Sequence, residues 1–280
     1  MEDMRIPTCV FSSTAEPAVR DGHALDRFVQ IGSLTKVVTG TALVQMAAAG
    51  VLALDDPVER WLPAVPRSGI TLRHLARHTS GLPRLPPGRL SRRDPYAAFD
   101  RPALDRLLPR LAALAVRPPG REEEYSNLGY AVLGAALAAA SGTAYEDLVT
   151  EYVLRPLDLT EITATPDPNR RLLAPGRAGR PRRPWTMSGA ILPAGGLWAT
   201  PRAAADLVVR LLVERRLGDP APSWQTAGPL HWHNGAVRHA SVFTGATDDG
   251  HWVMIHQLNA PPDHTDRTGI ALLKEARTPS

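Results

Sequence analysis

The most apolar stretch of the chain, residues 37–50, is hydrophobic almost all round rather than along one stripe. That pattern predicts a buried helix, stopped at Gly50. A short β-type run at 27–31, closed by Gly32, leads into it, so the helix is expected over 33–50. Two further β-type runs are expected near 6–11 and 16–20. Thr71 reads as the N-cap of a short helix, 72–78. Helices are expected at 102–116, stopped by Pro118-Pro119-Gly120, at 128–140, ended by Ser141-Gly142, and at 144–154 and 202–217. Toward the C-terminus the period changes to that of strands, at 229–232, 236–244 and 252–258, with Asp248-Asp249-Gly250 as a hairpin turn. An amphipathic helix at 267–277 closes the chain. Residues 82–95 and 166–186 read as irregular.

β-type segments therefore sit at both ends and helices fill the middle. This predicts an α+β fold: an antiparallel sheet built from both chain ends, flanked by helices, with a helical insertion. The expected division is a discontinuous sheet domain, 1–60 and 190–280, and a mainly helical domain, 61–189. The helix entered at Ser33 would lie at their junction.

Composition narrows the functional classes. A chain of 280 residues can bury a substantial core. The net charge of +4 comes with no nucleic-acid-binding motif, so no nucleic-acid partner is expected. No stretch of ~20 residues is apolar enough to span a bilayer, and no membrane partner is expected. Residues 1–5 lack the basic and apolar regions of a signal peptide, which gives a cytoplasmic expectation. Cys9 stands alone, so it reads as a small buried thiol rather than part of a disulfide framework.

Of 32 basic residues, all but Lys36 and Lys274 are arginine. Lys36 lies inside the predicted buried helix, one turn after Ser33, so hydroxyl and amine share a helix face. A serine hydroxyl is a weak nucleophile until a base takes its proton, and a desolvated lysine can be that base where arginine cannot. Ser-x-x-Lys alone is a weak motif and needs partners. They stand at Tyr125-x-Asn127 and at His233-Asn234-Gly235.

With these triplets the chain resembles the serine β-lactamase and penicillin-binding-protein superfamily, in its class C β-lactamase, esterase and D-aminopeptidase branch. Phe28 to Lys36 resembles the nucleophile segment, and Ile70 to Pro83 the segment after it. Pro119-Gly120, Tyr125 to Tyr130, Leu133-Gly134 and Pro156-Leu157 resemble the tyrosine segment and its downstream landmark. Ala194-Gly195-Gly196-Leu197 resembles the glycine turn before the last helix of the insertion. The resemblance implies a β-lactamase/transpeptidase-like fold and no cofactor or metal.

It also implies roles. Ser33 would form an acyl-enzyme, and Lys36 and Tyr125 would handle the proton, the phenol pKa being lowered beside an ammonium. Asn127 would bind the substrate amide or the Lys36 amine. His233, Asn234 and Gly235 would bind substrate, and the N–H groups of Ser33 and Ala236 would form an oxyanion hole. The third triplet departs from the lysine-threonine-glycine of the lactamases. A neutral imidazole anchors a β-lactam carboxylate less well than an ammonium. The expected activity is that of an esterase or amidase on a small-molecule substrate. Alternatives are an amide-forming transacylase, a β-lactamase or D-aminopeptidase/DD-peptidase, and a non-catalytic ligand-binding protein.

Bland readings stand beside these. Tyr125 could be a packed aromatic, His233 a structural strand residue and Asn127 a helix cap. His74 and His78 have i, i+4 metal-ligand spacing, and His231, His233, His239, His251 and His256 fall on neighbouring strands, but no carboxylate joins either set. The stretch holding Arg170, Arg171, Arg177, Arg180, Arg182 and Arg183 reads as solvated, with recruitment of an acidic substrate as its functional reading.

Overall fold

The structure is a computed structural model that describes residues 5–88, 91, 93–176 and 180–276. Along the chain the elements are β1 (Thr8–Ser12), β2 (Ala18–Arg20), β3 (Val29–Gln30), α1 (Thr35–Ala48), α2 (Val58–Trp61), α3 (Leu72–Ala76), α4 (Arg101–Leu107), α5 (Leu111–Leu114), α6 (Asn127–Ser141), α7 (Tyr145–Val149), β4 (Ile162–Thr163), α8 (Leu192–Gly195), β5 (Trp198–Ala199), α9 (Pro201–Val208), β6 (Gln225–Ala227), β7 (Leu230–Val237), β8 (Ala240–Thr247), β9 (Trp252–Leu258) and α10 (Pro262–Ala276).

The main sheet is antiparallel with strand order β2-β1-β9-β8-β7-β6, so the first strand closes against the last: Cys9 faces His256. Every residue of β8 is buried, because both faces of the central strand are covered. α10 lies on one face, where Gly269 meets the Phe243 ring, and the main core lies on the other, with Val242, Ala246 and Met254 in it. α1 runs through that core, buried continuously from Thr35 to Leu43. A polar group at such depth needs a partner, and Thr39 finds three in the Thr35 and Pro193 carbonyls and the Tyr145 hydroxyl.

Several local expectations are corrected. The strands expected at 229–232 and 236–244 are β7 and β8, with the turn at Arg238-His239. His233, Asn234 and Gly235 fall between the two expected runs, yet they continue the ladder opposite Thr244, Phe243 and Val242. The helix expected at 102–116 is interrupted by a 3-10 turn, Leu108–Arg110, around Pro109, which cannot donate an interior helical bond. The run at 27–31 shrinks to β3, part of a second sheet in the order β3-β5-β4. Two-residue strands leave no periodic trace in a sequence. Thr71 does cap α3, accepting the His74 N–H, but the helix ends at Ala76. α10 starts at Pro262, earlier than expected, and residue 277 of the expected helix lies outside the described residues. No single helix among the described residues is long and apolar enough to cross a membrane.

Candidate active site

Ser33 stands in a 3-10 turn, Gly32–Leu34, that feeds directly into α1. Gly32 has φ +50, and a side chain there would begin 2.8 Å from the Ala236 nitrogen. Both facts demand glycine. Gly235 is required for the same reason from the other side: a Cβ on it would run into the Ile31 carbonyl oxygen. It lets the edge of β7 press against the serine turn.

Lys36 is fully buried. Its Nζ lies 3.1 Å from Ser33 Oγ, 2.8 Å from Asn127 Oδ1 and 2.5 Å from the Ala194 carbonyl oxygen, and it sits over the faces of Tyr125 and Tyr130. None of these partners is anionic. Burial, and secondarily the charge of Arg84, holds the amine well below the usual lysine range. A neutral amine has two N–H bonds and one lone pair. The Asn127 and Ala194 oxygens can only accept, so they take the two N–H bonds and leave the lone pair for the Ser33 proton.

The Tyr125 hydroxyl donates to Ser33 Oγ at 2.6 Å. The expectation that its pKa would be lowered is corrected: burial pushes it up, against the smaller opposing effects of the Ser33 hydrogen bond and Arg84. Lys36 lies over its ring, 4.8 Å from the centroid. The resting phenol is therefore a proton donor.

Asn127 is the first residue of α6, and its amide is used at both ends: Oδ1 accepts from Lys36, and Nδ2 donates to the Tyr96 hydroxyl at 2.8 Å. The cap role considered for it belongs to Ser126, which accepts the Gly129 N–H at 2.8 Å. His233 is buried, and its Nδ1 donates to its neighbour's carbonyl, Asn234 O, at 2.6 Å. Burial and then Lys36 push its pKa down to about 3, so the ring is neutral with the proton on Nδ1 and Nε2 left as an acceptor. Asn234 points the other way. Its Nδ2 donates to Asp266 Oδ2 on α10 at 2.7 Å, which ties β7 to α10.

Ala236 is exposed on the part of β7 that extends past β6. The two-residue turn after Val237 makes Val237 and Ala240 a hydrogen-bonded pair, so by alternation Ala236 and Ser241 are a non-bonded one. The Ala236 N–H and C=O thus face the open edge, toward Gly32 and Ser33.

Sequence reasoning missed Tyr96, Arg84 and the Ala194 carbonyl. Arg84 lies in the irregular 82–95 stretch and Tyr96 directly after it, where no periodicity marks a residue. A carbonyl contact has no sequence signature at all. The histidines read for metal spacing have other partners. His74 Nδ1 accepts the Thr71 N–H, His78 Nδ1 accepts the Ser126 N–H, His256 pairs with His23 at 2.9 Å, and His231 lies 3.6 Å from Asp248. Among the described residues no cluster of three or more His, Cys, Asp or Glu is arranged to hold a metal. Cys9 is buried, with its thiol pushed up to about 12 by burial. Arg182 donates from its backbone N–H to Ala174 O and lies beside His239; Arg177 is outside the described residues.

The site is thus a half-buried serine and a fully buried lysine in a Ser-x-x-Lys pair, met by a tyrosine hydroxyl at the edge of an antiparallel sheet. The chain belongs to the beta-lactamase family, whose model matches residues 17–272. It is 37% identical over 186 residues to the D-alanyl-D-alanine-carboxypeptidase/endopeptidase AmpH of Escherichia coli, covering 63% of this chain and 47% of that protein. It is 32% identical over 178 residues to esterase EstB of Burkholderia gladioli, covering 56% of this chain and 43% of that protein. The alignments thus span less than half the length of these curated relatives. Among solved structures, a beta-lactamase/D-alanine carboxypeptidase from Yersinia pestis superposes with TM-score 0.78 at 20% identity, over 98% of this chain and 93% of that one. D-amino acid amidase from Ochrobactrum anthropi superposes with TM-score 0.76 at 20% identity, over 98% and 94%. These likenesses establish the β-lactamase/transpeptidase fold, α+β with an antiparallel sheet flanked by helices.

Proposed function

We propose that the protein is a serine acyl-transfer enzyme acting on small esters or amides through a covalent acyl-enzyme on Ser33. The observation that carries this reading is the Lys36 amine, buried without an anionic partner and aimed at Ser33 Oγ. Ser33 Oγ attacks the substrate carbonyl as its proton passes to Lys36 Nζ. The carbonyl oxygen gains negative charge, stabilised by the Ser33 and Ala236 N–H groups. As the carbonyl re-forms, the bond to the leaving group breaks. Tyr125 gives its proton to the departing oxygen or nitrogen, and Lys36, now an ammonium, returns one to Tyr125. Water or an amine then attacks the acyl carbon by the reverse path, so hydrolysis and transacylation share one centre. The division into sheet and helical parts, with the site at their junction, accords with Ser33 and Ala236 coming from the two chain ends and Tyr125 and Asn127 from the middle.

The names of the relatives point to ester and amide substrates: EstB is an esterase and the amidase acts on amino acid amides. A neutral His233 supplies no cation for a β-lactam carboxylate, which places penicillin turnover behind ester cleavage. An acidic group elsewhere on the substrate would meet Arg84 over the Tyr125 ring, with Arg182 and Arg238 beside His239.

The test is incubation with p-nitrophenyl acetate and nitrocefin, with and without hydroxylamine, beside Ser33→Ala, and intact-mass detection of the adduct. Ester cleavage that is lost in the variant, and product diverted to hydroxamate, is the expected result. Equal activity in both proteins, or no adduct, would reject the reading.

A further inference from the structure

Tyr125 lies in a stretch, 123–126, without regular secondary structure, yet its hydroxyl meets Ser33 Oγ at 2.6 Å. One residue holds that stretch by three separate contacts. The His78 carbonyl accepts the Glu124 N–H at 2.7 Å. The His78 Nδ1 accepts the Ser126 N–H at 3.0 Å. Its ring lies against the Tyr125 ring, centroids 4.4 Å apart and planes tilted by 32°. The two backbone bonds bracket Tyr125 on either side in sequence, and the ring contact fixes the side chain between them.

The arrangement is costly to build, so packing alone is a poor account of it. To offer carbonyl and ring to the same stretch, His78 adopts φ +58, a left-handed backbone that is unfavourable for a non-glycine residue. A backbone N–H can only donate, so Nδ1 is the acceptor and the ring proton is on Nε2. Burial, with smaller effects of Lys36 and His233, pushes the His78 pKa down to about 2, which preserves that acceptor over the working pH range. The next turn adds to the strap, because Thr79 O accepts the Gly120 N–H and Gly81 O the Val116 N–H. The chain leading up to Tyr125 is therefore anchored to 78–81 along its length.

We infer that His78 is a positioning residue for the acyl-transfer centre, setting the distance and angle at which the Tyr125 hydroxyl meets Ser33. The inference rests on the function proposed above. It differs from a purely structural role in one respect: its energetic effect on turnover runs through Tyr125.

Six proteins test it: wild type, His78→Gly, His78→Asn, Ser33→Ala, Tyr125→Phe and the Tyr125→Phe/His78→Gly double variant, with p-nitrophenyl acetate as substrate and kcat and KM read separately. Glycine accepts φ +58 and removes ring and acceptor. Asparagine tolerates the same backbone and returns an acceptor oxygen. His78→Gly should lower kcat roughly tenfold to a hundredfold with KM within about twofold, and His78→Asn should recover most of the loss. In a Tyr125→Phe background His78→Gly should cost little further, the signature of two residues acting as one unit. Where the glycine variant does not fold, His78→Leu, which fills the space without an acceptor, takes its place in the same cycle. An active wild type whose variants keep kcat, lose only KM, or lose activity equally with and without Tyr125 overturns the inference alone. A wild type without Ser33-dependent hydrolysis overturns the acyl-transfer reading and the inference with it.

Discussion

The Asn127 amide joins Lys36 to Tyr96, accepting from the amine at 2.8 Å and donating to the phenol at 2.8 Å. An amide that is neutral at every pH thus occupies the position from which a carboxylate would hold Lys36 as an ammonium. Asn127→Asp puts that carboxylate in place, and an opposite charge at this distance raises a lysine pKa by roughly 1–3 units. Because acylation needs the neutral amine, the acid limb of kcat/KM should move to higher pH and activity at neutral pH should fall. A pH–rate profile of the two proteins checks it; superimposable acid limbs would sink the idea.

Arg84 acts on the same amine from outside, lowering its pKa through space. Its side chain is exposed, so salt screens it. In Arg84→Ala the acid limb should move to higher pH. The wild-type limb should drift upward as ionic strength increases, while that of the variant stays put. Profiles at low and high salt separate this from a change in substrate binding.

In the proposed oxyanion site, the close approach of Gly32 to the Ala236 backbone sets the geometry. Gly32→Ala meets a strained φ, at roughly 1–3 kcal/mol, and contacts the Ala236 amide. Displacing one oxyanion donor costs about 10²–10³ in kcat. The variant should thus lose far more turnover than folding stability, as measured by p-nitrophenyl ester kinetics beside urea unfolding. Equal and small effects on both would refute the placement of Ala236.

Stability should fall in acid for a reason unconnected with catalysis. His23 and His256 are buried against one another, and burial pushes their pKa values down to about 4 and about 3. The unfolded chain protonates them near the ordinary histidine value, about 6.5. The folded state is thus fully favoured above that pH. It loses up to about 1.4 kcal/mol per pH unit per histidine as pH falls toward the folded values. Unfolding midpoints at pH 7 and pH 5 should differ, and His256→Gln should shrink the difference.

Legibility followed the length scale of the signal. α1, α6 and β9 were readable because each is a near-continuous apolar run of a length that fits its element. The Ser33, Lys36, Tyr125 and Asn127 grouping was readable through the ordered motifs of the family resemblance, with Lys36, one of only two lysines among 32 basic residues, as the first pointer. What failed was short or contextual. β3 and β5 are too brief to have a period. Asn234 and Gly235 look like a turn but serve as strand. The Tyr125 pKa depends on burial, which no motif reports. Tyr96 and Arg84 earned their places through the path of an aperiodic loop.

The pairing of β1 with β9 has a consequence for how the protein comes into being. Ser33 and Lys36 are made early, but β7, which flanks them, is held by β8, and the sheet closes only when β9 meets β1. A chain emerging from a ribosome therefore carries an unassembled nucleophile until some two hundred further residues have followed. Pairings this distant in sequence form late and slowly. Reactivity at the proposed nucleophile should appear only once β9 has paired with β1, and fragments that end before Trp252 should be inert.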